Sequence, residues 1–186
     1  ACLDDLAKLM EIHQDFDGVI RYKEKLLELV DDALERLTIQ IGIGDIYREK
    51  LDRLNDAIDA YRGALSIDPG SRTALVKLLE IHIQAQRFDE AVDILRQLLD
   101  AETEPRRKAY YTFTIATIYR EHLDQPIDAV EFYQQTLDLD SGKLEAFQAV
   151  DELLTREKAW DELERSYRKM IGRVKDTDNN KHLFML

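Results

Sequence analysis

Apolar residues along this chain recur at intervals of three and four. Leu75, Leu78, Leu79 and His82 form one face; Phe88, Ala91, Val92, Leu95, Leu98 and Leu99 form the next. That spacing is the period of an amphipathic helix. A short polar turn, Gln84-Ala85-Gln86-Arg87, lies between them, so the pattern predicts two helices joined as an antiparallel hairpin. Breakers follow at Asp68-Pro69-Gly70-Ser71, Thr103-Glu104-Pro105 and Asp140-Ser141-Gly142. Ser71 and Ser141 are expected as N-caps. Pro126 is expected at a helix start, where it sacrifices no hydrogen bond.

The hairpin repeats. Ile46-Tyr47-Arg48-Glu49-Lys50-Leu51-Asp52 returns as Ile118-Tyr119-Arg120-Glu121-His122-Leu123-Asp124, 72 residues later. Phe16-Asp17, Phe88-Asp89 and Trp160-Asp161 share the same offset, and each opens an amphipathic segment. The helix-opening positions Val19, Ala57, Ala91, Ala129 and Leu163 are separated by 38, 34, 38 and 34 residues. Two alternating subtypes therefore build the chain. The implied units are 1–30, 31–69, 70–102, 103–141 and 142–175, with the start of a sixth at 176–186. One segment conflicts with this register. Thr38 to Gly44 alternates isoleucines with polar residues and glycines, which reads as a strand on propensity alone. Ile43, Gly44 and Tyr47 align with Ile115, Ala116 and Tyr119, so the register predicts a helix there.

Gly44, Tyr47, Ala57, Tyr61, Ala64 and Pro69 together resemble a nearly complete tetratricopeptide repeat. The unit after Ala109 keeps Ala116, Tyr119, Ala129 and Tyr133, but has Thr136 and Ser141 where Ala and Pro are usual. The other units diverge further, with Asp151 and Leu163 at small-residue positions. The resemblance spans nearly the whole chain, and the alternating spacing is similar to that of long bacterial arrays of the family. It implies an all-α fold: a right-handed α-solenoid of about five helical hairpins, in which neighbours bury each other's apolar faces. Both ends read as cut, and Leu183-Phe184-Met185-Leu186 would then be open to self-association.

The resemblance also implies a non-catalytic scaffold that binds a protein or peptide in a concave groove lined by the first helix of each unit. Carried over residue by residue, that groove includes Ile41, Asp45, Arg48, Lys77, Glu80, Tyr110, Phe113, Thr117 and Arg120. Tyr110 and Phe113 are the expected anchors as exposed aromatics, unless one or both pack within the array; Gly42 would leave room for a guest side chain. The Lys and Asn that clamp terminal carboxylates in some members are not matched at the corresponding pairs Asp4/Lys8, Ile41/Asp45, Val76/Glu80 and Phe113/Thr117. The alternatives are a structural, self-assembling spacer within a larger repeat protein, or the regulatory part of an enzyme whose catalytic domain lies elsewhere.

Composition narrows this a little. A net charge of −12 disfavours nucleic acid, which needs a basic face. No apolar run approaches the roughly 18 residues of a membrane span. The single cysteine, Cys2, excludes an internal disulfide; the compartment is not readable, with the cytoplasm marginally preferred. No cofactor is implied. His13, Asp15, Asp17, Gly18, Ile20 and Glu24 approach the spacing of a calcium loop. Phe16-Asp17 nevertheless matches two plain helix starts, so no metal is expected there. The four histidines lack metal-ligand spacing, and His82 reads as a core residue.

Overall fold

The structure is a computed structural model that describes residues 14–176. All regular structure among them is α-helical: α1 Phe16–Leu29, α2 Ala33–Glu49, α3 Leu54–Ile67, α4 Arg72–Gln84, α5 Phe88–Ala101, α6 Pro105–Glu121, α7 Pro126–Leu139, α8 Leu144–Arg156 and α9 Trp160–Asp176. The first helix of the first unit and the Lys181–Leu186 segment lie outside the described residues. Thr38 to Gly44 is helical, inside α2. The chain divides into two compact units, Ala1–Gln86 and Arg87–Leu186.

In the first unit, α1, α2, α3 and α4 pack in sequence order. Ile20, Ile39, Ile43 and Ala60 make a buried cluster, joined by Leu26, Ile46 and Tyr47. Gly44 is buried where Tyr61 crosses α2. Asp32 caps α2, its carboxylate accepting from the Glu35 N–H at 2.8 Å. Asp15 does the same for α1 through the Gly18 N–H at 2.9 Å. Asp15 therefore serves a helix start, and Asp17, Gly18, Ile20 and Glu24 lie within α1.

In the second unit, α5 through α9 pack in the same serial manner. Ile115, Ala116, Ala129, Tyr133, Leu137, Val150 and Met170 form its interior. Thr136, which departs from the family's Ala, is fully buried, with its hydroxyl 2.9 Å from the equally buried Thr112 hydroxyl. The two side chains also lie within hydrogen-bond distance of the Phe132 and Ala109 carbonyls, so neither hydroxyl is stranded. Pro126 and Pro105 open α7 and α6. Ser141 does not cap α8: the helix begins at Leu144 with Lys143 as N-cap, and Asp140 turns the chain by accepting from the Gly142 N–H. Ser71 precedes α4 as expected, but its side chain makes no capping bond.

One regularity was invisible in the sequence. Gln14, Asp52, Gln86, Asp124 and Lys158 all have φ between 50° and 57°, and all sit in turns. Their spacing is again 38, 34, 38 and 34 residues. Each turn thus reverses through one left-handed residue, and none of the five is glycine.

Candidate protein-binding face

In the first unit the expected groove residues come from α2 and α4. Four of the five engage one another. Lys77 Nζ lies 2.7 Å from Asp45 Oδ1, and Arg48 Nη1 donates to Glu80 Oε2 at 2.6 Å. The same Asp45 oxygen accepts from the Tyr61 hydroxyl at 2.6 Å. These pairs tie two successive first helices together, so their charges are largely spent within the fold. Ile41 is half-buried. The room foreseen beside Gly42 holds Lys23: a Cβ there would meet its Nζ at 3.5 Å.

In the second unit the expected residues lie on α6. Tyr110 is 64% exposed, as expected, and touches the buried Tyr111 edge-on. Phe113 corrects the expectation of an exposed ring. It is half-buried, set edge-to-face on Tyr133 at 5.5 Å between centroids, with the Lys143 ammonium 5.2 Å above it. Both contacts come from outside α6, which is why reading α6 alone could not find them. Thr117 lies 3.3 Å from the Tyr133 hydroxyl. Arg120 pairs with Glu121 at 2.8 Å and sits over the Tyr133 ring at 5.8 Å. Arg120 and Arg48 are 72-residue equivalents, yet Arg48 bonds across to the next first helix whereas Arg120 bonds to its own helix end. Lys143 was not among the expected residues; its position before α8 gave no sign that it would cover Phe113.

Burial, then the bond to Asp45, raises the pKa of Tyr61. Burial also raises that of Tyr133, and a hydrogen bond to Asp151 that of Tyr167. A folded pKa above the unfolded value favours the neutral phenol. The stabilising contribution is full below pH ~10 and is lost as pH rises above it. In an absorbance titration, Tyr61 and Tyr133 should therefore ionise only in a late step that coincides with loss of helix. Ionisation of every tyrosine at the ordinary pH, with helix intact, would contradict this.

No group of three or more His, Cys, Asp or Glu among the described residues is arranged to hold a metal ion. No described helix is long and apolar enough to cross a membrane. His82 is buried in α4.

A family model of the tetratricopeptide repeat matches residues 50–111. No curated protein matches the chain in sequence. Among solved structures, a tetratricopeptide repeat protein from Parabacteroides merdae is similar with a TM-score of 0.56 and 16% identity, over 93% of this chain and 66% of that one. MamA from Desulfovibrio magneticus is similar with a TM-score of 0.51 and 13% identity, over 95% and 96%. The N-terminal domain of stress-induced protein-1 from C. elegans gives 0.53 and 15%, over 67% and 98%. At such identities the likeness carries the fold alone. The family model lies on consecutive helices, and the small and aromatic positions are placed as described, so residues 50–111 carry the tetratricopeptide repeat and the described helices share the fold of such proteins.

Proposed function

We propose that the chain holds a peptide or protein segment along the face of its first helices and performs no chemistry of its own, with Tyr110 as principal anchor. The observation that carries this reading is the 64% exposure of Tyr110 on α6, while Phe113 and Thr117 of the same helix are packed against Tyr133. A rigid aromatic on a helix supplies contact area at small entropic cost, and such residues dominate binding energy. Phe113, Lys143 and Arg120 support it as a preformed floor.

The test uses a partner recovered by pull-down. Tyr110→Ala should weaken its binding at least about tenfold without changing stability. Phe113→Ala should weaken binding and also cost about 1–3 kcal/mol of stability, because its ring packs on Tyr133. Glu131→Lys, on a second helix, should leave binding intact. Loss with Glu131→Lys and not with Tyr110→Ala would reverse the assignment.

A second reading is self-assembly. It is favoured by α9, which exposes Trp160, Tyr167 and Ile171 at 59%, 37% and 42%. Light scattering showing a strict monomer at high concentration counts against it.

A further inference from the structure

We propose a second binding site, away from the first-helix face: an apolar cleft in the second unit that takes an aromatic side chain flanked by a basic residue of a partner protein. The argument begins with a corner that is filled. Phe88, the first residue of α5, stacks flat on His122, the C-cap of α6, with centroids 3.9 Å apart and 3° between planes. The next such corner has Pro126 as the first residue of α7 and Glu157 as the C-cap of α8. A proline ring and a carboxylate make no such stack, and a cleft of about 370 Å³ opens there. That volume is at the lower end for small-ligand pockets, which run from about 300 to 1,000 Å³.

Val130, Leu153 and Leu154 make the cleft apolar, and Ile127 stands at its rim, 81% exposed. Its counterpart 72 residues earlier is the polar Asn55, so an apolar residue here is not a demand of the repeat. Glu157 and Glu162 also line the cleft. Each carboxylate meets an arginine through Oε1, from Arg156 at 3.1 Å and Arg165 at 2.8 Å. These pairs are exposed on both sides, and pairs of that kind are weak enough for an incoming cation to join. An adjoining depression of about 260 Å³ shares Val130, Leu154 and Glu162 and continues past Arg165 and Lys169. The cationic end therefore lies beyond Arg165, and a guest's own cation belongs at the Glu157 end. The occupant that fits the apolar floor and the carboxylate rim is an aromatic ring, with a neighbouring Lys or Arg reaching Glu157.

The test is an amide-resolved NMR titration of the whole chain with the capped peptide Gly-Lys-Trp-Lys-Gly, against Gly-Glu-Trp-Glu-Gly. The basic peptide should give saturable shifts at Ile127, Val130 and Leu154, and the acidic one none. Ile127→Asn, a surface change that installs the residue of the earlier unit, should weaken binding at least about tenfold. Glu157→Gln should weaken it about threefold. Equal response to both peptides overturns the proposal, as do shifts confined to Tyr110 and Phe113. Concentration-dependent shifts at Ile127 without peptide would assign the cleft to a second copy of the chain and likewise overturn it.

Discussion

Gly44→Ala is expected to destabilise the chain by about 1–2 kcal/mol while Tyr61 is present, and to stabilise it by about 0.5–1 kcal/mol once Tyr61 is alanine. The change of sign follows from one contact. A Cβ on Gly44 would stand 2.5, 2.7 and 2.9 Å from Cε1, Cδ1 and Cζ of the Tyr61 ring. That ring cannot swing aside. It is fully buried, and its hydroxyl is held by Asp45, which Lys77 holds in turn. Gly44 has ordinary helical backbone, so glycine is needed for space and not for conformation. Without the ring, the better helix propensity of alanine is all that remains. Tyr61→Ala itself should cost about 3–5 kcal/mol, as large-to-small changes of buried aromatics do. Denaturant unfolding of the four members of this cycle measures the coupling. A stabilising Gly44→Ala in both backgrounds would show that the helices simply move apart.

The same contact shows why part of the fold was legible. A small residue and an aromatic at fixed offsets record a volume constraint between two helices, and volume is written in residue type. Hence Gly44 with Tyr61, and Ala116 with Tyr133, could be placed, as could the helix through Thr38 to Gly44 despite its strand-like composition. Features that depend on what faces what could not. Three of the five left-handed turn residues are Gln or Lys, which give no sign of positive φ, and the aspartates at 52 and 124 signal it far more weakly than glycine would. Phe113 could be set on the right face, but Tyr133 and Lys143 arrive over it from other helices. Arg48 and Arg120 are sequence equivalents with different partners. The Pro126 and Glu157 cleft has meaning only beside the Phe88 and His122 stack, a comparison between helix ends far apart in sequence.

Ala129→Arg is expected to unfold its own hairpin before it unfolds the rest. Ala129 on α7 is fully buried, with α6 packed against that helix. An arginine there must either bury an unpaired charge or prise the helices apart. Either route costs on the order of 4 kcal/mol, a large part of what a small domain has. In a serial array that loss falls first on the mutated hairpin and its neighbours, because each interface is a separate contribution. Amide hydrogen exchange should show protection falling most in 105–139, with 33–67 less affected. Ala57→Arg, fully buried on α3, should give the mirror result, with 33–67 losing most. If either substitution lowered protection evenly along the chain, the hairpins would be folding as one cooperative body. Uneven loss in both variants would instead show that each hairpin contributes its own interfaces to stability.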